Sequence, residues 1–282
     1  MTWNRKYWDI IDQLYWWPTY IGLRSIGQKN WKVENDWISV PRSLVNPHGP
    51  LYSRRLKANE LVDDLHSKEE ILNHIFDLTF AIAPDALIEA AFVEPLGFSD
   101  TGPIESLGRE VQARYGWGHD VNVTQHDGFF VSERSAVAVE LKLSSASWPE
   151  QILKYAALLA WEEIATGRKE NLGLLFVIPE GAMAKHWAKC GLTDNNVGPD
   201  FLDRAWTKPI PSTLSRFLVE RREDVLGVLS RLRMQVITWA QVRDRLVSYR
   251  SGLEGSSPGD QCLQRLIDGF LAQLAAHRGT GL

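Results

Sequence analysis

The spacing of apolar and polar positions predicts alternating strands and helices after the first third of the chain. Residues 136–143 alternate with period two, which places valines and leucines on one face and Glu140 with Lys142 on the other. Residues 172–178 are apolar without alternation, as expected for a strand buried on both faces. Residues 236–246 predict a last strand that passes into a helix.

Helical spacing and turn residues predict the elements around these strands. Apolar side chains recur every three or four residues over 104–115, which predicts a helix. Residues 120–131 predict a hairpin. A further helix is predicted to run to about Gly167, with Ser147 as its N-cap and Glu150 completing a capping box. The expected fold class is therefore α/β, with a mixed sheet of four or five strands flanked by helices.

Turn-rich segments predict three parts in the chain. Residues 1–100 are predicted to form a helical N-terminal region. The region is rich in tryptophan, since five of the twelve tryptophans fall in the first 31 residues. Residues 101–250 form the core, and residues 251–282 form a linker and a C-terminal helix. The internal boundary is placed in the Gly- and Pro-rich stretch 95–103. Further helices are predicted at residues 1–30, 58–83, 85–93 and 260–277, and short strands within 31–45.

Composition changes this picture little. Of 282 residues, 44% are hydrophobic and 23% charged, which is ordinary for a globular protein. No apolar run approaches the roughly 20 residues of a membrane span, so no membrane partner is expected. Asp9 and Asp12 interrupt the N-terminal hydrophobic stretch, which argues against a secretory signal. Cys190 and Cys262 form no C-x-x-C pair, and we expect a reduced, cytoplasmic protein.

The net charge of -4 argues against a protein that coats nucleic acid by bulk electrostatics. Nucleic-acid binding would need local basic clusters, and residues 54–57 contain one of them. A P-loop is excluded because no Gly-Lys-Ser/Thr ending is present. The seven histidines show no H-x-x-x-H spacing for zinc.

Candidate chemistry lies between Asp127 and Tyr155. Asp127-Gly is followed by an apolar strand that ends in Glu140-Leu-Lys142, and then by Gln151-x-x-x-Tyr155. If the two strands pair, the two carboxylates converge, and Lys142 shares the sheet face of Glu140. Gln151 and Tyr155 are four residues apart and form one ridge of a helix. Two carboxylates can bind Mg²⁺ without filling its shell, so the pattern favours a metal-dependent hydrolase.

This arrangement resembles the PD-(D/E)XK nuclease superfamily, in the RecB-like branch that adds a QxxxY helix. The resemblance covers residues 104–246, about half of the chain, and His126 stands where the family usually has a proline. It implies a restriction-endonuclease-like core. It also implies that Asp127, Glu140 and the backbone carbonyl of Leu141 bind Mg²⁺ or Mn²⁺. Lys142 would then activate the attacking water or neutralise phosphate charge.

The resemblance also implies supporting residues on helices. Gln151 and Tyr155 would reach toward the metal-bound water or the DNA backbone. The family uses a further glutamate on the helix before the sheet, for which Glu105 is the first choice and Glu110 the second.

The expected function is Mg²⁺- or Mn²⁺-dependent hydrolysis of DNA phosphodiester bonds, in bacterial or phage defence or in DNA processing. DNA is the expected partner. Homodimers are common among relatives that cut both strands, and the N-terminal region could bind a protein partner. The acidic pI and the aromatic N-terminus motivate an alternative, a nuclease-fold scaffold or nucleic-acid-binding subunit of a larger complex. An RNA-directed nuclease is a third reading.

Overall fold

A computed structural model describes most of the second half of the chain and part of the first. The described residues are 32–34, 37–39, 66, 69–99, 102–107, 126–143, 148–182, 185–186, 192, 197, 201, 205 and 212–282. The predicted helix over residues 1–30, the basic residues 54–57 and Glu110 lie outside them.

The described strands form one small sheet and one larger one. In chain order they are β1 Lys32–Glu34, β2 Trp37–Ser39, β3 Glu105–Ser106, β4 Gly128–Val131, β5 Ser135–Leu141, β6 Asn171–Ile178 and β7 Arg233–Thr238. Strands β1 and β2 pair as a separate antiparallel hairpin. The larger sheet has the order β3-β4-β5-β6-β7. The β3, β4 and β5 strands are antiparallel neighbours, whereas β5, β6 and β7 run parallel. The predicted mixed sheet is thereby confirmed.

Seven α-helices are described, together with two short irregular helical turns. They are α1 Glu69–Ala81, α2 Asp85–Ile88, α3 Pro149–Thr166, α4 Ser212–Glu220, α5 Arg222–Leu229, α6 Trp239–Ser251 and α7 Pro258–Ala276. A π-helical turn, Glu89–Val93, and a 3₁₀ turn, Glu94–Leu96, follow α2 directly. Within the described ranges, no helix is both long and apolar enough to cross a membrane.

Helices cover both faces of the larger sheet, which makes the fold α/β. One face of β5 carries Val137 and Val139, which pack with buried residues of α1, α2, α6 and α7. The other face carries Ala136 and Ala138, which pack with buried residues of α3, α4 and α5. This confirms the alternation predicted for β5, because successive side chains point to opposite faces. Helices cover β6 on both faces, since its side chains divide between the same two clusters, which explains its unbroken apolar sequence.

The helix predicted over residues 104–115 is wrong at its start. Glu105 and Ser106 form strand β3, and their Cα partners on β4 are Val131 and Phe130. The Leu107 amide continues this pairing by donating to the Phe129 carbonyl at 2.9 Å. The backbone of β4 supplies partners for this segment, and tertiary pairing therefore overrides the helical spacing.

The start of α3 also differs from the prediction. Trp148, not Ser147, is the N-cap, and Pro149 occupies the first turn. The Gln151 side chain, rather than Glu150, bonds back to this end, because its Oε1 accepts from the Trp148 amide at 3.2 Å. Gln151 therefore both stabilises the helix start and faces the strand that carries Glu140.

The predicted boundary near residue 100 falls between segments that share one hydrophobic core. Phe76 and Phe92, before the boundary, lie 5.2 Å apart by ring centroids. Phe92 stacks on Phe130 of β4 at 5.4 Å, and Phe76 meets Phe270 of α7 at 6.2 Å. The division of the chain into domains stays a prediction.

Candidate functional site

The strand arrangement brings Asp127 and Glu140 to one edge of the sheet. Gly128 lies opposite Val139, so Asp127, one residue earlier, lies level with Glu140, one residue later. This edge holds the carboxyl ends of three parallel strands, β5, β6 and β7, where open α/β sheets commonly bind ligands. The predicted convergence of the two carboxylates is confirmed.

A close helix contact supplies a partner for Asp127. Gly128 lies against α1: a Cβ built there would be 2.8 Å from Cε1 of Phe76, so a larger residue would push the helix away. The same helix carries Asn73, whose Nδ2 donates to Oδ1 of Asp127 at 2.5 Å. The other carboxylate oxygen, Oδ2, accepts from the Leu141 amide at 2.7 Å. Asp127 is thus fixed from α1 and from β5.

The Asp127 carboxyl is electrostatically disfavoured as an anion. It is only 9% exposed. Burial and the neighbouring charge of Glu140 raise its pKa well above the ordinary value, although the Leu141 amide and Lys142 act in the opposite direction. The Asp127 carboxyl therefore keeps a proton more readily than an isolated aspartate, unless further positive charge is brought to it.

The Glu140 carboxylate accepts from three side chains. Gln151 Nε2 donates to its Oε1 at 2.6 Å, and the Tyr155 hydroxyl donates to its Oε2. Lys142 Nζ forms an ion pair with Oε1. Tyr155 is 1% exposed, and burial together with Glu140 raises the pKa of its phenol well above the usual value, so it stays a donor. Gln151 and Tyr155 therefore hold Glu140, and a role of either residue toward the metal-bound water or the DNA backbone stays a prediction.

Lys142 lies between two carboxylates. Its Nζ contacts Glu140 and also lies 3.4 Å from Oε1 of Glu69. Burial lowers the pKa of this ammonium, but Glu140, Glu69 and Asp127 together outweigh burial and raise it. Lys142 is therefore charged at neutral pH and acts as a donor and a cation, not as a proton acceptor.

The backbone around Lys142 is held as firmly as its side chain. Its amide donates to the Val177 carbonyl at 2.9 Å. Its carbonyl accepts from Nε1 of Trp239, at the start of α6, at 2.8 Å. The next amide, that of Leu143, donates to Oε2 of Glu69 at 2.9 Å. Glu69 thus contacts both the ammonium and the backbone that carries it.

Glu69 and Asn73 are site residues that the sequence did not single out. They lie four residues apart on α1, so they share one ridge of the helix, as Gln151 and Tyr155 do on α3. This spacing is the signal that could have found them. Residues 58–83 predicted a helix, but a helix alone does not show which of its polar residues face a strand about 60 residues later in the chain.

Glu105, the predicted helix glutamate, is not part of this group. It lies opposite Val131 on β3 and is exposed. Val131 is four residues beyond Asp127, a separation of about 13 Å at the rise of a strand. The prediction for Glu105 is wrong because the segment is a strand at the sheet edge, and a helix carboxylate, Glu69, contacts Lys142 instead.

His186 adds a buried imidazole beside this group. It is 2% exposed and meets the ring of Phe176 at 4.5 Å. Phe176 is the register partner of Glu140 on β6. Burial, and then the charge of Lys142, lowers the pKa of His186 to about 4, so the imidazole is neutral at pH 7. No pattern in the sequence pointed to this residue.

The donor atoms at this edge fit a hard divalent cation. The Leu141 amide points toward Asp127, and the carbonyl of a strand residue points to the same side as its amide. Two carboxylates and a carbonyl are the oxygen ligands that Mg²⁺ prefers, with waters completing its shell. Among the described residues, no group of three or more His, Cys, Asp or Glu is arranged to hold a metal ion. A Mg²⁺ site here would therefore rest on two carboxylates, not three.

Two cavities of about 470 and 620 Å³ lie elsewhere. Both are lined by Ser230 and Arg231, just before β7, at the opposite edge of the sheet from Glu140. Neither cavity is lined by Lys142 or by the carboxylates around it, so neither cavity is part of the candidate site.

The comparisons with known proteins give no relative for this chain. No protein-family model matches it, no curated protein matches it, and no solved structure matches it. The case for a function therefore rests on the residues and their geometry.

Proposed function

We propose that the chain is a metal-dependent deoxyribonuclease with a restriction-endonuclease-like core, of the PD-(D/E)XK type. One observation carries the proposal: three acids lie around a single ammonium at the end of β5. The ammonium is that of Lys142, and the acids are Asp127, Glu140 and Glu69. A buried cluster with an excess of negative charge is costly unless a further cation or a function accounts for it. Genome defence and DNA processing in bacteria or phage are the settings that such an activity suggests.

Asp127, Glu140 and the Leu141 carbonyl would hold Mg²⁺ or Mn²⁺. When bound, such an ion lowers the pKa of its water and neutralises charge on a phosphate. The raised pKa of Asp127 supports this assignment, because added positive charge would favour its carboxylate form.

Lys142 provides the fixed positive charge of the site. Because its pKa is raised, the ammonium can donate hydrogen bonds to a scissile phosphate or to the attacking water. The three backbone contacts of Lys142 and Leu143 fix where this charge lies.

Gln151 and Tyr155 act through Glu140 and are positioning residues. Each donates to one oxygen of the Glu140 carboxylate, so together they fix its plane. This geometry leaves the carboxylate charge in place while orienting it, as supporting residues around metal ligands commonly do.

A second candidate function follows from the ion pairs themselves. Lys142 bridges Glu140 and Glu69, and such buried pairs also occur as structural features. In that case the chain would be a scaffold or a nucleic-acid-binding subunit that keeps the fold without hydrolysis.

The test is a cleavage assay with purified protein. Supercoiled plasmid, linear duplex, single-stranded DNA and RNA are each incubated with Mg²⁺, Mn²⁺ or EDTA. Wild type is compared with Lys142→Ala, and with Arg250→Ala as a control that removes an exposed ion pair with Asp268. The proposal expects cleavage that needs the metal, is lost in Lys142→Ala and is kept in Arg250→Ala.

The four substrates separate the alternatives. Cleavage of RNA alone would replace the DNA assignment, and nicking of the plasmid would indicate endonuclease action. If wild type cuts no substrate with either metal, the scaffold alternative replaces the nuclease. Circular dichroism of each variant shows whether a lost activity reflects unfolding, since removing one partner of a buried pair can cost about 3–5 kcal/mol.

A further inference from the structure

One tryptophan side chain reaches from the end of β7 to the end of β5. Trp239 directly follows β7, as Lys142 directly follows β5, and its indole Nε1 donates to the Lys142 carbonyl at 2.8 Å. The indole is fully buried among apolar side chains, and its single N–H makes this contact. The contact spans two strand spacings, about 10 Å in a sheet, because β6 lies between β5 and β7.

A proline at the end of β6 explains why a side chain makes this bond. In a parallel pair, a residue whose amide donates to the neighbouring strand accepts, through its own carbonyl, from the amide two residues further along that strand. The Lys142 amide donates to the Val177 carbonyl, so the Lys142 carbonyl would accept from residue 179. That residue is Pro179, which has no N–H to donate. The Trp239 indole therefore supplies a hydrogen bond that the ladder of β5 and β6 cannot make.

The backbone of Lys142 decides where its ammonium lies. Its Nζ contacts Glu140 and lies 3.4 Å from Oε1 of Glu69, so a shift of the strand end would change both contacts. A buried carbonyl without a donor is costly, and without the indole we expect this strand end to move toward another donor. A displacement of about 1 Å at a reacting group can lower a rate by about a hundredfold. The Trp239 bond can thus affect a reaction that the indole does not touch.

We infer that Trp239 is a positioning residue for Lys142, and that its indole N–H replaces the ladder donor that Pro179 lacks. The inference rests on the proposed function, in which Lys142 provides the fixed positive charge. Packing alone does not predict its main consequence: the need for Trp239 disappears once residue 179 can donate. The capping box of Thr238 and Gln241 fixes the first turn of α6, and with it the backbone that carries the indole.

The test is a double-mutant cycle between the two positions. Trp239→Phe removes the N–H and shrinks the side chain, whereas Pro179→Ala adds a backbone N–H at a backbone conformation that alanine also adopts. Wild type, both variants and their combination are compared in cleavage of duplex and single-stranded DNA with Mg²⁺, with kcat and KM measured separately. The matched control is Trp161→Phe, the same change on α3, where the ring stacks on Phe217 at 3.8 Å.

We expect Trp239→Phe to lower kcat by about tenfold or more and to change KM by less than about threefold, because the indole does not touch the DNA. Pro179→Ala alone should stay within about twofold of wild type, since a carbonyl can accept two hydrogen bonds. In the double variant the added amide should restore kcat to within about threefold of wild type. Trp161→Phe should change kcat by less than about twofold with either residue at position 179.

Two outcomes would overturn the inference. One is an equal loss of kcat from Trp239→Phe with proline or alanine at position 179, because a cavity acts alike in both proteins. The other is a Trp239→Phe variant that cuts DNA at the wild-type rate. If circular dichroism shows that Trp239→Phe alone is unfolded, a folded double variant supports the replaced bond, and two unfolded variants overturn it.

Urea denaturation of the same proteins separates this inference from the proposed function. Trp239→Phe should raise the unfolding equilibrium constant about tenfold less when alanine stands at position 179, since the buried carbonyl regains a donor. If wild type cuts no DNA but this coupling is present, the replaced bond stands and the nuclease fails. If wild type cuts DNA and kcat shows no coupling, the positioning role fails and the nuclease stands.

Discussion

At the scale of single residues, the candidate site is defined by how each carboxylate is held. Glu140 accepts from Gln151, Tyr155 and Lys142, whereas Asp127 accepts from Asn73 and one backbone amide. Glu140 therefore has an ammonium in direct contact, whereas the pKa of Asp127 is raised by burial and by the neighbouring charge of Glu140. This asymmetry leads to two predictions.

The first is that Asp127→Asn does not destabilise the metal-free protein. A raised acid pKa means that ionised Asp127 lowers stability at pH values above that pKa, and an amide removes this charge. Asn73 can turn its amide to suit, because within the described residues its buried Oδ1 has no hydrogen-bond partner. Urea denaturation at pH 8 should give a free energy of unfolding equal to wild type or higher by about 1 kcal/mol. A loss above about 1 kcal/mol would contradict this account.

The second concerns Tyr155, whose hydroxyl donates to Glu140 from a fully buried position. Tyr155→Phe removes that donor and leaves a buried carboxylate oxygen with one partner fewer, which should cost about 1–3 kcal/mol. Tyr249→Phe is the control, since Tyr249 is only partly buried on α6. Chemical denaturation at pH 7.5 distinguishes them: equal effects of the two substitutions would show that the bond to Glu140 contributes nothing.

At the scale of elements, the sequence predicted what is locally encoded and missed what needs the third dimension. The alternation of β5 and the apolar run of β6 follow from side-chain direction in strands, and both were correctly predicted. Glu69 was missed because its contact with Lys142 joins residues 73 apart. The strand at Glu105 was predicted as a helix, because two residues at a sheet edge take their conformation from β4.

A third prediction tests the packing behind Lys142. A Cβ at Gly279 would lie 2.5 Å from Cβ of Leu143 and 3.1 Å from its carbonyl oxygen, so the C-terminal segment presses on the residue after Lys142. Gly279→Ala should therefore lower the free energy of unfolding by about 1–3 kcal/mol and also slow cleavage.

The matched control is a glycine in open space. Gly227 lies in α5 with nothing within 4 Å of a built Cβ. Gly227→Ala should be neutral or stabilising by up to about 1 kcal/mol, because alanine favours a helix over glycine. A melting temperature that changes equally in both variants would contradict the contact between Gly279 and Leu143.

At the scale of the whole molecule, two buried imidazoles, those of His186 and His277, couple folding to pH. His277, at the end of α7, is 1% exposed, and its ring lies 5.1 Å from that of His66. Burial lowers the pKa of His277 to about 4, helped by His66 and opposed by the Gln273 carbonyl. The folded state therefore holds this group neutral.

The fourth prediction is a loss of stability in acid. An unfolded histidine binds its proton near pH 6.5 but folded His277 only near 4, so the stability present above pH 6.5 is lost as pH falls through that window. The full difference amounts to about 3 kcal/mol. Denaturation at pH 7.5, 6 and 5 should show this decline, and His277→Gln should make it shallower. A variant with the same pH dependence as wild type would contradict the role of His277.

The most direct measurement is the rate at which wild type and Asp127→Asn cleave single-stranded and duplex DNA with Mg²⁺. Because the variant is expected to stay folded, a lost rate would report on chemistry. The account predicts cleavage by wild type that EDTA abolishes, and a rate at least about a thousandfold lower in Asp127→Asn. Cleavage at equal rates by both proteins, or no cleavage by wild type of either substrate, would contradict it.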